Sequence, residues 1–285
     1  MDVYSLLSRL PVRRFKEPPP VVAVLRLSGV IGGIGPVRRG LSLASQAHLI
    51  ERAFKLPRLK AVALTINSPG GSPVQSALIA GRIRALAEEK NIPVVAFAED
   101  VAASGGYWLA CAADEIFAHE SSIVGSIGVI SAGFGFPALL ERLGVERRVH
   151  TAGARKSMLD PFRSEDPKDV ARLQTIQTDV HESFQDYVRQ RRGERLTGEE
   201  ADLFSGEFWT GRRALELGLV DALGDLRQVM RERYGEKVRL RLIDGARPRW
   251  RPRLSVEVPA PDLAASAAAL VGAVEERALW ARYGL

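Results

Sequence analysis

Two glycine-containing turns carry the residue types best suited to chemistry. The first turn, NSPGGS at 67–72, follows a continuous apolar run, and the second, AASGGY at 102–107, follows another. Parallel α/β sheets bind ligands at the carboxyl ends of their strands, so both turns lie where a site is expected. Glycines let the backbone approach a substrate closely, and N–H groups beside a helix start can hold a developing oxyanion. An ordinary turn is the alternative interpretation of the first motif.

Ser104 is the candidate nucleophile. It stands among small residues where a predicted strand passes into a predicted helix, a position that exposes a hydroxyl beside the first N–H groups of the helix. The alternative is that Ser104 only caps the helix, which is a common role for serine.

A serine nucleophile needs a base. The four histidines, at 48, 119, 150 and 181, have no motif around them. Lysine is the chemical alternative if it is uncharged, which requires an apolar setting. Lys156 is the candidate, because it follows a predicted strand at 146–153 and has small and apolar neighbours. On its own, a loop lysine is ordinarily a solvated surface charge, and composition alone does not assign Lys156 a role.

Alternating strand and helix patterns must position these residues. Strands are predicted at 21–27, 61–67 and 93–99 and a last one in KVRLRLI, with helices at 45–54, 72–90 and 167–193. The helix after the first turn is expected to point Leu78, Ile79, Ile83 and Leu86 inward. Strand, glycine turn and helix recur, which predicts an α/β fold with a parallel sheet and right-handed crossovers.

Composition and charge exclude several classes. The chain has 285 residues and a formal net charge of +6, and its basic residues stand singly or in pairs, which argues against a nucleic-acid groove. Cys111 is the single cysteine, so an internal disulfide is impossible. No Cys/His metal spacing exists, which excludes a structural zinc. Neither a metal nor a cofactor is expected.

Taken together, the motifs resemble the short form of signal peptide peptidase A, a serine peptidase family with a Ser-Lys dyad on the Clp protease/crotonase fold. The resemblance covers about residues 20–245. It rests on five ordered strings: NSPGGS at 67–72, DVAASGGYWLA at 100–110, SSIVGSIGVI at 121–130, GARKSMLDPF at 153–162 and FSGEFWTGRRALELGLVDALG at 204–224.

The resemblance implies a role for individual residues. Ser104 matches the nucleophile and Lys156 the general base, and Ser126 matches the hydroxyl that positions the lysine amine. Gly71 and Gly105 match the turns whose N–H groups form the oxyanion hole. The implied activity is that of a serine endopeptidase that cleaves signal-peptide remnants or unfolded polypeptides. The implied fold has repeated ββα units, a parallel sheet and helical extensions for oligomerisation.

The resemblance also implies an assembly. Family members form homo-oligomeric rings or bowls, with an octamer among the candidate sizes, in which the serine and lysine can come from neighbouring subunits. Three segments are expected: an amphipathic leader at 1–20, the peptidase domain at 21–245, and a basic linker with a C-terminal helix at 246–285. Many relatives begin with a membrane-spanning anchor, which this sequence does not show, so a cytoplasmic enzyme, or one peripheral on the inner membrane face, is expected.

Three alternatives stay open. A crotonase-type acyl-CoA hydratase or isomerase uses similar amides, with Glu99 and Asp100 as its carboxylates. A non-catalytic ring scaffold on the same fold is the second. The third is a conventional Ser-His-Asp site that uses His119 or His150.

Overall fold

The computed structural model describes residues 18–34, 38–244, 272–274 and 276–285. The expected leader lies outside the described residues except for 18–20, and the expected linker from 246 onward lies outside them as well. Within the segment 246–285, where a C-terminal helix is expected, residues 272–274 and 276–281 are helical. We call residues 272–285, apart from 275, the C-terminal segment.

The core of the protein is an eight-stranded, mostly parallel sheet. Its central strands are apolar runs, as expected for strands that are buried on both faces. The strands of the chain are β1 (Val21–Ser28), β2 (Gly33–Ile34), β3 (Arg38–Arg39), β4 (Leu59–Ser68), β5 (Val94–Ala103), β6 (Glu115–Ala118), β7 (Ile123–Gly125), β8 (Phe208–Thr210), β9 (Ala222–Leu223) and β10 (Arg239–Ile243). The order β10-β1-β4-β5-β6-β9 is parallel, β7 pairs with β5, and β8 is antiparallel to β7. Strands β2 and β3 form a separate hairpin pair.

Helices cover both faces of this sheet. They are α1 (Leu43–Phe54), α2 (Pro73–Lys90), α3 (Gly105–Ala110), α4 (Pro137–Leu143), α5 (Pro167–Arg192), α6 (Glu200–Leu203), α7 (Gly211–Glu216) and α8 (Leu226–Tyr234). Helices α1, α2, α3 and α5 contribute to the main core on one face, and α8 covers the other face through Val229 and Met230. The predicted α/β architecture with a parallel sheet is confirmed.

The prediction for α2 is correct in three positions and wrong in one. Ile79, Ile83 and Leu86 are buried, whereas Leu78 is 44% exposed. Successive helical residues are turned by about 100° around the axis, so a face centred on Ile79 and Ile83 leaves Leu78 at its edge.

The strand predicted at 146–153 is also wrong. Residues 146–153 form no strand, and Val145 and Val149 are exposed at 52% and 42%. The physical reason is that a strand needs a hydrogen-bonded neighbour, and no strand in the described part of the chain pairs with this stretch. Lys156 therefore follows an exposed, unpaired segment rather than a buried strand.

An aromatic stack docks the long helix α5 onto the short helix α3. The Trp108 ring stacks on Phe184 at a centroid distance of 4.7 Å and on Tyr187 at 5.4 Å. Such pairs stabilise a contact beyond the area that they bury. The stack fixes this part of α5 beside the turn that carries Ser104.

Candidate active site

Ser104 occupies a strained strand-to-helix turn. It lies between the end of β5 and the start of α3, with φ 53° and ψ −123°. Its N–H donates to the Gly125 carbonyl at 2.8 Å, but its hydroxyl makes no capping hydrogen bond. The interpretation that Ser104 acts as a capping serine is therefore wrong. A non-glycine residue with positive φ costs about 1–3 kcal/mol, and such strain clusters at active sites.

Two backbone amides lie beside this serine. Ile31 N–H donates to the Gly70 carbonyl and Ser72 N–H donates to the Ile31 carbonyl, both at 2.8 Å, which holds Gly71 between them. Gly105 is the first residue of α3, where an N–H has no partner inside the helix. Among the described backbone hydrogen bonds, neither the Gly71 nor the Gly105 N–H donates. A Cβ built on Gly105 lies 3.4 Å from Gly71 N, so the two expected donors are adjacent.

Gly70 packs directly against the nucleophile. A Cβ built at this position lies 2.7 Å from Ser104 Cβ and 2.9 Å from Gly105 N, and φ is +100°. Both the space and the backbone conformation therefore require glycine. The first turn is more than a chain reversal, because its backbone forms one wall around Ser104.

Asn67 joins the two turns. Its Nδ2 donates to Asp100 Oδ2 at 2.6 Å, and its Oδ1 accepts from the Val101 N–H at 3.3 Å. One side chain thus ties the end of β4 to β5, which fixes the distance between the turn that carries Gly71 and the turn that carries Ser104.

A shallow cleft opens at Ser104. Its walls are mainly apolar or glycine, and they are formed by Gly71, Pro73, Ser104, Gly105, Trp108, Gly128, Val129, Val180 and Phe184. Its lining gives the surface beside Ser104 an apolar character. The sequence predictions did not identify α5 as a wall of this cleft. The available signal was that Val180 and Phe184 are spaced by one helical turn and so lie on the same face of the helix.

Ser126 lies at the end of β7, on the other side of the Ser104 turn. It is buried, has φ 54°, and donates its N–H to the Glu207 carbonyl at 2.6 Å. The preceding residue, Gly125, supplies the carbonyl that accepts from Ser104 N–H. The structure therefore brings Ser104, Gly71, Gly105 and Ser126 into one region.

Lys156 lies in an exposed loop. Its N–H donates to the Gly153 carbonyl at 3.2 Å. Within the described part of the chain, no hydrogen bond or ion pair links the Lys156 side chain to Ser104 or to Ser126. The fifth predicted residue is thus not joined to the other four by a described contact in a single chain.

The histidines offer no base to Ser104. His48, His119 and His150 are exposed. His181, on α5 as predicted, places Nε2 3.0 Å from the Ile127 carbonyl oxygen. A carbonyl only accepts, so Nε2 carries the proton in this contact. None of the described histidine contacts reaches Ser104, and none therefore supports a Ser-His-Asp site.

The carboxylates offered for the crotonase alternative lie elsewhere. Glu99 and Asp100 line a different cleft, together with Thr65, His119 and Asp225. That cleft does not include Ser104. Glu99 and Asp100 therefore do not share a cleft with the N–H groups of Gly71 and Gly105.

Cys111 is a poor nucleophile despite lying just after α3. It is fully buried, and burial raises the pKa of its thiol to about 12. A thiol reacts as the thiolate, which this environment disfavours. Among the described residues, no group of His, Cys, Asp and Glu side chains is suited to hold a metal ion.

The chain is similar in sequence to relatives that carry two different names. The chain is 51% identical over 290 residues to a protein named Na(+)/H(+) antiporter NhaA from Brucella abortus, and it spans 39% of that protein. It is 36% identical over 166 residues to the putative signal peptide peptidase SppA of Enterococcus faecium, covering 58% of this chain and 48% of the relative. The chain thus spans less than half the length of either relative.

No helix in the described residues has the length and apolar character needed to cross a membrane.

A solved structure confirms the fold. A variant of the 1510-N membrane-bound stomatin-specific protease aligns with a TM-score of 0.50 and 15% identity, over 81% of this chain and 100% of that one. The Clp protease/crotonase-like fold is therefore the fold of this chain. The sequence profile of peptidase family S49 matches residues 86–238, which include Ser104, Ser126 and Lys156 and make up more than half of the chain. The chain belongs to peptidase family S49.

Proposed function

We propose that this chain is a serine endopeptidase in which Ser104 is the nucleophile and Lys156 the general base. One observation carries the proposal: Ser104, whose hydroxyl makes no capping hydrogen bond, sits in a positive-φ turn beside the N–H groups of Gly71 and Gly105, which donate no hydrogen bond among the described residues. This is the arrangement that acyl transfer requires. Membership of a peptidase family supports the same chemistry.

The proposed reaction has two halves. Ser104 Oγ bonds to the substrate carbonyl carbon while its proton passes to the neutral Lys156 amine. The carbonyl oxygen becomes an oxyanion between the Gly71 and Gly105 N–H groups, and loss of one such donor typically costs about 10²–10³ in kcat. The proton then moves to the leaving amine as the peptide bond breaks. Water, activated by the same lysine, hydrolyses the acyl-enzyme.

We place Lys156 of one subunit in the site of a neighbouring copy. In the single chain the lysine is exposed, and large apolar side chains in the same part of the chain are exposed as well: Ile130 at 65%, Phe134 at 78% and Leu143 at 64%. Exposed apolar surface of this kind marks an interaction site. A second copy over it would give the lysine the apolar setting that a neutral amine needs. A head-to-tail contact of this type forms a ring when the rotation between successive subunits closes.

The proposed substrate is an extended polypeptide. The cleft at Ser104 has apolar walls that include Trp108, Val129 and Phe184. An extended segment that pairs with a strand edge would present alternate side chains to such a cleft. Signal-peptide remnants and unfolded proteins both supply segments of this chemistry.

A fluorophosphonate probe tests the proposal directly, because it reacts covalently with an activated serine. Tryptic mapping of the labelled protein is expected to place the adduct on Ser104. Ser104→Ala should abolish both labelling and peptide hydrolysis, and Ser45→Ala, an exposed serine on α1, should leave both unchanged. An active enzyme labelled at a different serine would refute the assignment.

A further inference from the structure

Tyr283, two residues from the end of the chain, reaches the candidate site. It is only 8% exposed, and its ring meets Phe208 edge-on at a centroid distance of 5.1 Å. It also packs with Val101 and Ala103 of β5, which leads into Ser104. Its Oη lies 3.3 Å from Ser126 Oγ and 3.5 Å from the Pro69 carbonyl oxygen. A residue of the C-terminal segment thus contacts both the Ser126 hydroxyl and the turn that carries Gly71.

The two contacts made by the Tyr283 hydroxyl compete for one proton. A carbonyl only accepts, whereas a tyrosine and a serine each hold one donatable proton. Because Tyr283 has one hydroxyl proton, both contacts are hydrogen bonds at once only when Tyr283 donates to the Pro69 carbonyl and its oxygen accepts the proton of Ser126. The lone pairs of Ser126 Oγ are then free to accept an N–H of a lysine amine.

We propose that Tyr283 is a positioning residue for the peptidase reaction. Its hydroxyl holds the Ser126 proton away from the lysine, so that Ser126 accepts from the amine and the amine lone pair points at Ser104. The inference rests on the proposed function, and it deepens that function by assigning a role to the C-terminal segment. Without the Tyr283 hydroxyl, Ser126 is free to donate to the amine and to divert the lone pair that must take the Ser104 proton.

Tyr283→Phe tests this role, because it keeps the ring that packs against Phe208 and removes only the hydroxyl. One hydrogen bond of this kind changes a rate by about three- to tenfold, and kcat is expected to fall by that factor with KM unchanged. In this variant Ser126 is free to donate to the lysine amine, which stabilises the neutral form of the amine. The midpoint of the pH–rate profile should therefore move to lower pH by about half a unit to one unit.

Two further variants separate positioning from packing. If Tyr283 acts through Ser126, adding Tyr283→Phe to Ser126→Ala should cause no further loss of kcat. Trp280→Phe alters the same C-terminal segment and the same apolar cluster without a contact to Ser126, and it should leave the pH–rate profile unchanged.

Two results would overturn the inference. The first is a Tyr283→Phe variant that keeps the wild-type kcat and pH–rate profile. The second is that Tyr283→Phe lowers kcat by the same factor in the Ser126→Ala enzyme as in the wild type. Fluorophosphonate labelling of Ser104 distinguishes this failure from failure of the proposed function. Labelled Ser104 with an unaffected Tyr283→Phe variant refutes the role of Tyr283 alone, and an active enzyme without a Ser104 adduct refutes the peptidase assignment itself.

Discussion

Gly70 offers a test of the site geometry that does not touch a reacting atom. In Gly70→Ala the new Cβ would lie 2.7 Å from Ser104 Cβ, about 0.7 Å short of ordinary contact, and 2.9 Å from Gly105 N. The turn must therefore move away from the nucleophile and from one oxyanion donor. A misplacement approaching 1 Å can cost about 10²-fold in rate, so kcat is expected to fall by about that factor. Positive φ adds a stability cost of about 1–2 kcal/mol.

The chain provides matched controls for both effects. Gly29 has almost the same φ, +103°, but a Cβ there meets nothing within 4 Å, so Gly29→Ala should lose stability and keep kcat. Gly81 is helical and equally open, so Gly81→Ala should keep kcat and gain about 0.4–1 kcal/mol of stability. The measurements are kcat on a fluorogenic peptide, thermal unfolding and the rate of fluorophosphonate labelling. A fully active Gly70→Ala variant that unfolds at the wild-type temperature would refute the close packing of this turn on Ser104.

Three further predictions follow from charge and burial. Because the base must be neutral, kcat/KM should rise with pH through one ionisation between about pH 6 and 9, and a flat profile would contradict a titrating base. Arg192 is buried against Asp221 at 2.8 Å, so Asp221→Ala should strand a buried guanidinium and destabilise the fold by about 3 kcal/mol, measured as a lower Tm. Burial alone raises the pKa of Asp221, but hydrogen bonds from Arg192 and the Ile116 amide outweigh it and hold that pKa below its usual value. The stabilisation from Asp221 is therefore present at neutral pH and lost as the pH falls below about 4, which Tm measured against pH would detect; an equal Tm deficit for Asp221→Ala at pH 3 and pH 7 would contradict this. With its pKa raised to about 12, Cys111 should resist iodoacetamide at pH 8 until the protein unfolds, as followed by mass spectrometry, and rapid labelling of the native protein would contradict its burial.

Local sequence was enough to find the turns that build the site. Apolar runs ending in glycine turns predicted β4 and β5 and placed Ser104 and Gly71 at the same edge of the sheet, because carboxyl ends of parallel strands meet there. The end of α4 at Gly144 was also predictable, since glycine adopts the left-handed conformation that closes a helix. At each of these positions the backbone conformation favours a particular residue type, so the sequence itself indicates the turn.

Contacts between distant segments left no comparable signal. Tyr283 lies 157 positions from Ser126, and nothing near either residue indicates their contact. The stack of Trp108 on Phe184 likewise depends on how α5 crosses α3. The false strand at 146–153 fails for a related reason, because alternating apolar residues predict a strand only where another strand is available to pair with it.

The central claim is that Ser104 and Lys156 of neighbouring copies form one site, and complementation tests it most directly. Ser104→Ala and Lys156→Ala chains, each expected to be inactive alone, are co-expressed and purified together. With equal random mixing in a ring, about a quarter of the sites combine an intact serine with an intact lysine, so about a quarter of the wild-type activity should return. Mixed assemblies with no activity above that of either variant alone, beside an active wild type, would contradict a dyad shared between subunits.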